Sequence, residues 1–148
     1  MPLFKLMIST LRQRPQYLGP LLLALLSLLG YAFEPGSSQW FEYSRSQIGS
    51  GQWWRLFTGN LLHTNGWHLV MNLAGLAVIT SLHGEHYTRR SFWLFTLANA
   101  SLVGIGLYLL SPSMGFYVGL SGYLHGLLLW GSLLDITKGY RSGYLLLF

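Results

Sequence analysis

Long runs of apolar residues without a charge recur along the chain and predict helices that cross a lipid bilayer. Such a helix needs about 20 residues to span the hydrocarbon core. The longest run is divided at Ser111-Pro112-Ser113, because proline and the residue before it resist continuing a helix. The pattern predicts four complete spans and the start of a fifth, near residues 17–33, 67–82, 92–110, 119–134 and 143–148.

The segment between the first two predicted spans, residues 34–64, is rich in aromatic side chains. Tryptophan and tyrosine are typical of the membrane interface, where an apolar ring with a polar edge lies among the lipid headgroups. The segment therefore predicts an outer loop with short helices that lie partly in the outer leaflet. An ordinary aromatic belt is the alternative interpretation of each ring.

The amino-acid composition excludes several classes of protein. Of 148 residues, 51% belong to the AVILMFWYC set and only 9% are charged, against roughly 25% in a soluble domain. So few charges exclude a soluble enzyme and a disordered tail. The chain has no cysteine, and its net charge of +5 forms no basic stripe, so neither thiol chemistry nor a nucleic-acid partner is expected. Because lipid cannot satisfy unpaired backbone groups, the predicted fold is a single all-α polytopic membrane domain.

Lysine and arginine are distributed unequally between the two sides of the predicted bundle. With a cytoplasmic N-terminus, seven of them lie inside, namely Lys5, Arg12, Arg14, Arg89, Arg90, Lys138 and Arg141. Only Arg45 and Arg55 lie outside. This bias follows the positive-inside rule and predicts that orientation. The first span lacks a convincing signal-peptide cleavage site and is interpreted as a retained helix.

Polar side chains at membrane depth are candidates for function, because each costs a few kcal/mol unless it is satisfied. His68 and Asn72 lie four residues apart on the second span and so share one helix face. Ser121 and His125 have the same spacing on the fourth span, and His63 precedes the second. Both pairs lie toward the outer ends of their spans, which predicts that they converge on one side of the membrane.

Ser121 lies in the sequence Gly119-Leu120-Ser121-Gly122, where a helix is predicted to begin. Free N–H groups and the positive end of the helix dipole suit a developing oxyanion there. A serine at this position could attack a carbonyl carbon. The alternative is that Gly122 and Gly126 merely allow tight helix packing. The pattern is not the G-x-S-x-G elbow of soluble hydrolases, because residue 123 is Tyr.

The combination of these residues resembles the rhomboid family of intramembrane serine proteases. The resemblance rests on Trp54-Arg55, on His63, His68 and Asn72, and on the Gly119–Gly122 motif, and it covers about residues 52–134. The extension from Ser121 to Gly126, S-G-Y-L-H-G, is most similar to the rhombosortase branch.

This resemblance implies a six-helix core that cleaves a membrane-anchored protein near the outer leaflet of a bacterial cytoplasmic membrane. Ser121 would be the nucleophile, and His68 and Asn72 the pair that stabilises the oxyanion. Arg55 would brace the outer loop by hydrogen bonds to carbonyls. No cofactor is implied. The rhombosortase branch implies a substrate with a C-terminal Gly-Gly-type anchor in a Gram-negative bacterium.

The base that activates the serine is missing from the pattern. In the family it is a histidine on the sixth span, but no histidine follows His125 in this chain. A fragment of a complete protease is the favoured expectation, and a naturally short, inactive relative is the alternative. His125 itself could act as base, although a buried hydrogen bond to a neighbouring helix or water is the favoured role. A non-catalytic protein that binds transmembrane helices is the competing function.

A second polar group, His83-Gly84-Glu85-His86, lies at the inner end of the second span. Two histidines and a carboxylate could bind a metal, but the close spacing favours a solvated helix end and no metal site. Asp135, near Lys138, is interpreted as an interfacial charge.

Overall fold

The computed structural model describes residues 14–147. The predicted inner charges Lys5 and Arg12, and Phe148 at the end of the predicted fifth span, lie outside the described residues. Four long helices form the bundle: α1 (Leu18–Ala32), α5 (Gly66–His83), α6 (Arg89–Leu110) and α7 (Ser121–Thr137). Short helices are α2 (Gly36–Phe41), α3 (Arg45–Gly49), α4 (Arg55–Thr58) and α8 (Arg141–Leu145). The 3-10 turns are Pro15–Tyr17, Gly59–Leu61 and Gly84–His86.

The long helices lie where the four apolar runs predict spans, with ends that differ by up to three residues. Two of these differences come from capping. The Asn65 side chain accepts a hydrogen bond from the His68 amide and so begins α5. Thr88 and Ser91 form a reciprocal capping box that begins α6 at Arg89 rather than near residue 92. At the last apolar run the structure has the five-residue helix α8 instead of a helix that begins at 143.

The core lies between the four long helices. α5 packs against α1 and α7, and α6 packs against the same two helices from another side. The buried apolar side chains that fill this space are Leu23, Leu76, Ile79, Tyr87, Phe92, Ala100, Leu120, Tyr123, Leu124 and Leu127. α5 and α7 run in the same direction, so their first residues, His68 and Ser121 among them, lie toward one end of the bundle.

The outer faces of the long helices are apolar. Large side chains such as Leu22, Val78, Leu102 and Leu133 are exposed there. Exposed apolar area costs about 25 cal/mol per Å² in water and nothing in lipid. Pro15–Ala32 and Arg89–Leu110 are the two helices, among the described residues, that are long and apolar enough to cross a membrane. These faces fit a membrane protein, and the predicted count of four spans stays a prediction.

One small sheet departs from the all-α prediction. Strand β1 (Tyr43–Ser44) pairs antiparallel with β2 (Phe116–Tyr117), with Tyr43 opposite Tyr117. It is the only sheet within residues 14–147. This ribbon joins the outer loop, which holds α2, α3 and α4, to the connection that leads into α7.

Arg45 fixes the same connection from the other side. Its Nη2 donates hydrogen bonds to the carbonyl oxygens of Leu107, Tyr108 and Ser111, at 3.0, 2.7 and 3.0 Å. These carbonyls lie at the C-terminal end of α6, where few intrahelical donors remain. The Leu107 oxygen also accepts from the Ser111 amide, and the Ser111 oxygen accepts from the Met114 amide. A residue counted only as an outer charge therefore caps a helix.

Candidate functional site

Gly119 brings the start of α7 directly against α5. Its φ of +123° is a conformation that favours glycine. Its N–H donates to the Gly59 carbonyl at 3.1 Å, and its carbonyl accepts from the Tyr117 hydroxyl at 2.9 Å. A Cβ at this position would lie 2.6 Å from Cε1 and 2.7 Å from Nε2 of His68. Only a residue without a side chain allows this approach.

Asn72 lies on the facing side of α5, where it is buried. Its Nδ2 donates one hydrogen bond to the His68 carbonyl, four residues earlier, at 3.1 Å. A side-chain amide carries two N–H groups, so one donor remains. The Nδ2 atom lies 3.8 Å from the position of a Cβ on Gly119. An unused amide donor therefore lies beside the start of α7.

His68 is half-buried and is held by a residue that the sequence pattern did not suggest. Its Nδ1 lies 3.2 Å from the Thr64 hydroxyl. A hydroxyl can donate or accept, so Thr64 is compatible with either neutral tautomer. When Thr64 donates to Nδ1, the proton of His68 lies on Nε2, which is 2.7 Å from the position of a Cβ on Gly119. The four-residue spacing from Thr64 to His68 is the signal that could have found this contact.

His63 packs its ring edge-on against His68, with 5.0 Å between the ring centroids. The side chain is buried, and neither ring nitrogen has a hydrogen-bond partner among the described residues. Burial, and next the proximity of His68, lower the pKa of His63 from 6.5 to about 4. His63 is therefore neutral at pH 7. It borders an open cavity of about 600 Å³ that the carboxylates of Glu34 and Glu42 also line.

Ser121 is the first residue of α7, and its side chain is exposed. The hydrogen bonds of the described residues include none to its hydroxyl. The amides of the first turn have no intrahelical acceptor, and the Gly122 amide makes only a long contact, 3.4 Å, to the Tyr117 hydroxyl. An accessible hydroxyl therefore adjoins free N–H donors at the positive end of a 17-residue helix.

The His125 ring bonds within its own helix. Its ring reaches back one turn, as helical side chains do, but Nδ1 lies 2.7 Å from the Ser121 carbonyl oxygen, to which it donates. The side chain is exposed, so the expected buried bond to a neighbouring helix is wrong. The bond to a backbone carbonyl, and not to the hydroxyl, leaves Ser121 without an imidazole partner among the described residues.

Arg55 is buried and braces the outer loop. Its guanidinium donates to the carbonyls of Glu42 and Gln39, at 2.8 and 2.6 Å, and to the side chain of Gln52 at 2.7 Å. The neighbouring Trp54 is exposed, and its indole N–H donates to a backbone carbonyl of the same loop at 3.0 Å. Both residues belong to the outer loop and stabilise it. Their hydrogen bonds are not made to His68, Asn72 or Gly119.

The polar residues at the other end of the bundle are buried, which corrects two expectations. The sequence favoured a solvated helix end, but His83 is 0% exposed and the His86 side chain 1%. Asp135, taken for an interfacial charge, is 4% exposed. His83 is buried because Gly131 on α7 leaves room for its ring. Asp135 is buried because α8 folds back over the end of α7.

Polar side chains that the sequence pattern did not single out also bind α6 to its neighbours. Asn99 donates to the Tyr123 carbonyl at 2.8 Å, and Thr96 bonds the Tyr123 hydroxyl at 2.9 Å. Asn60 donates to the Ala100 carbonyl at 3.1 Å. Thr96 and Asn99 interrupt an apolar run at helical spacing, which was the available signal.

Similarities to known proteins cover the part of the chain that contains Ser121, His68 and Asn72. Residues 50–138 match the rhomboid domain. The chain is 32% identical over 81 residues to the "Putative rhomboid protease YdcA" of Bacillus subtilis (strain 168). The aligned part is 54% of this chain and 40% of that relative. The chain therefore spans less than half of the relative's length.

Proposed function

The chain belongs to the rhomboid family, and we propose that it acts as an intramembrane serine endopeptidase with Ser121 as nucleophile. The observation that carries the proposal is the approach of Gly119 to His68 and Asn72. It brings an exposed serine hydroxyl, free backbone amides and two side-chain donors to one end of the bundle. Membrane embedding follows from the family and from the apolar faces of the long helices.

The proposed reaction begins when the Ser121 hydroxyl oxygen attacks the carbonyl carbon of a peptide bond. The hydroxyl proton passes to a base, and the carbonyl oxygen becomes an oxyanion. The free N–H of Asn72, the Nε2–H of His68 and the amides at the start of α7 are suited to donate to it. The amine then leaves with a proton, and water hydrolyses the acyl-enzyme. Thr64 supports this role, because its hydroxyl lies where donation to Nδ1 would keep the proton of His68 on Nε2.

No base is assigned among the five histidines of the chain. His83 and His86 lie at the opposite end of the bundle. His125 donates a hydrogen bond from Nδ1 to a backbone carbonyl. His68 is assigned to the oxyanion, and its neighbour His63 is buried. The family resemblance assigns the base to a histidine on the sixth span.

The proposed substrate is a membrane-anchored protein, cut near the outer leaflet of a bacterial cytoplasmic membrane. The excess of Lys and Arg on one side supports an N-terminus in the cytoplasm. The pattern from Ser121 to Gly126 supports the rhombosortase branch, and with it a C-terminal Gly-Gly-type anchor in a Gram-negative bacterium. The four-span count supports placing Ser121 on the outer side.

A fluorophosphonate probe tests the nucleophile in membranes that contain the natural gene product. The probe should label the wild-type protein, and Ser121→Ala should lower labelling by about 10³-fold or more. The exposed Ser81, which bonds within α5, provides the matched control Ser81→Ala, which should label like wild type. Equal labelling of wild type and Ser121→Ala would remove Ser121 as nucleophile.

A non-catalytic protein that binds transmembrane helices is the second candidate. It is favoured by one observation, the absence of an imidazole bonded to the Ser121 hydroxyl among residues 14–147. Absence of any labelling in a folded wild-type protein, together with capture of a single-span helix, would support this function instead. Loss of labelling in His125→Ala alone would assign the base to His125.

A further inference from the structure

Three potential metal ligands converge at the end of the bundle opposite Ser121. His83 ends α5, His86 lies in the 3-10 turn that follows, and Asp135 lies in the last turns of α7. One ligand atom from each lies within 4.8 Å of the other two. His86 Nε2 is 2.6 Å from Asp135 Oδ1, and His83 Nδ1 is 3.6 Å from the same oxygen.

Within this cluster, His83 is the side chain that has no hydrogen-bond partner. It is fully buried, and neither of its ring nitrogens has a hydrogen-bond partner among the described residues. The 3.6 Å separation from Asp135 is too long for a hydrogen bond. A buried polar atom without a partner is costly, so such atoms are rare in proteins. Of the two unpartnered nitrogens, Nδ1 is the one beside the Asp135 carboxylate.

The geometry points to a site for a divalent transition-metal ion such as Zn²⁺, held by His83 Nδ1, His86 Nε2 and Asp135 Oδ1. Bonds of about 2.0–2.1 Å in tetrahedral coordination place ligand atoms roughly 3.4 Å apart. The 3.6 Å pair already has this spacing, and the 2.6 Å pair needs to open by less than about 1 Å. Two imidazoles and one carboxylate suit Zn²⁺ and leave its fourth position open.

The carboxylate is oriented for this role. Ser142, on α8, donates to Asp135 Oδ2 at 2.6 Å, which leaves Oδ1 directed at the two histidines. Hydrogen bonds of this kind hold metal ligands in position and are as much a part of a site as the ligands. Ion binding would join α5, α7 and the turn between α5 and α6 at this end of the bundle.

The Lys138 ammonium group competes with a metal ion for His86. Its Nζ lies 2.5 Å from His86 Nδ1, to which it donates. When His86 binds a metal through Nε2, its proton lies on Nδ1, which can no longer accept from an ammonium group. The Lys138 side chain is exposed and is free to turn toward solvent. Binding must displace it, so removal of this cation should tighten binding.

The test measures zinc bound per chain after the purified full-length protein is stripped with a chelator, exposed to Zn²⁺ and passed over a desalting column. We expect about one ion per chain and a higher melting temperature with zinc. His86→Ala and Asp135→Asn should lose both. Glu85→Gln is the matched control, because Glu85 is exposed beside the cluster and outside it. His68→Ala should also retain the ion, which separates this site from the histidine pair near Ser121.

Lys138→Met keeps the inference falsifiable if a ligand variant fails to fold. Loss of the nearby positive charge should lower the dissociation constant for zinc by at least about fivefold. A network of hydrogen bonds alone predicts no gain from this change. No zinc on the wild-type protein, equal zinc on Asp135→Asn, or no tightening in Lys138→Met would each overturn the site. None of these outcomes bears on Ser121.

Discussion

The two ends of the helix pair α5 and α7 carry histidines in very different states. His68 faces the first residues of α7, and His83, fifteen residues later, faces its last turns. This separation corresponds to about 22 Å along a helix. At the Ser121 end an exposed hydroxyl and unused N–H donors remain. At the Asp135 end the carboxylate is buried and bonded to His86 and Ser142.

What covers each end explains the difference. The Asp135 end is closed by α8 and the turn after α5, which provide side chains that bond the carboxylate. At the Ser121 end, the contacts are made mainly by the backbone of Gly59 and Gly119. Few side chains are therefore available there as hydrogen-bond partners. Unused donors are what an oxyanion needs, whereas a satisfied buried pair provides stability. A polar residue at membrane depth therefore indicates function only after its partners are counted.

After Ser121→Ala, substitution of Gly119 is expected to have the largest effect on labelling, and it would break the Ser121 end alone. In Gly119→Ala the new methyl group meets the His68 ring, and the positive φ is strained. Displacement of a catalytic group by about 1 Å costs on the order of 100-fold in rate. Fluorophosphonate labelling should therefore fall by about 100-fold.

Gly139→Ala is the matched control for this substitution. Gly139 also has a positive φ, +80°, but a Cβ there meets nothing within 4 Å. It should cost about 1–2 kcal/mol of stability and leave labelling unchanged. If both variants lost labelling equally, strain in the backbone and not contact with His68 would explain the loss.

Asp135→Asn should have an intermediate effect and would break the other end. The change removes a charged acceptor from His86 and Ser142, and hydrogen bonds to charged groups contribute about 1.5–3 kcal/mol. With a chelator present, the free energy of unfolding in detergent should fall by about 2–3 kcal/mol, and labelling should stay within about twofold. Glu85→Gln should change neither. A loss of labelling as large as that of Gly119→Ala would mean that the two ends are coupled.

Acidification by one pH unit should have the smallest effect, and it would sharpen the comparison through His63. Its pKa is about 4 in the folded protein and 6.5 when unfolded, so the unfolded chain binds more protons between these values. Stability should therefore fall as pH decreases from 6.5 toward 4, by up to about 1 kcal/mol per pH unit. His68, Glu34 and Glu42 are ionisable side chains close to His63, so thermal melting of wild type is compared with that of His63→Phe. The variant should show a shallower decline, and identical curves would refute the role of His63.

The candidate site was largely predictable because its pattern is local. His68 and Asn72 share a helix face by their four-residue spacing, and so do Ser121 and His125. The same spacing predicted that His125 reaches back to residue 121. It did not predict which atom would accept, and the structure shows the bond to the Ser121 carbonyl.

The second cluster was not predictable in the same way. Asp135 lies 49 residues after His86, and no spacing rule links them. A solvated end was the reasonable expectation for His83 and His86, since glycines and charges surround them in the sequence. Their burial depends on Gly131, Ser142 and α8, which meet them only after the helices pack.

The apolar runs without charge were enough to predict a helical membrane protein, because a chain can satisfy its backbone in lipid only as helices or a closed barrel. The resemblance to the rhomboid family came from the motif residues. The sequence also determined which residue types stand at the helix ends. Which of these residues have hydrogen-bond partners became clear from the packing of the helices. Hydrogen bonds form over about 3 Å between side chains of different helices, and distances of that kind are set by packing, not by position along the chain.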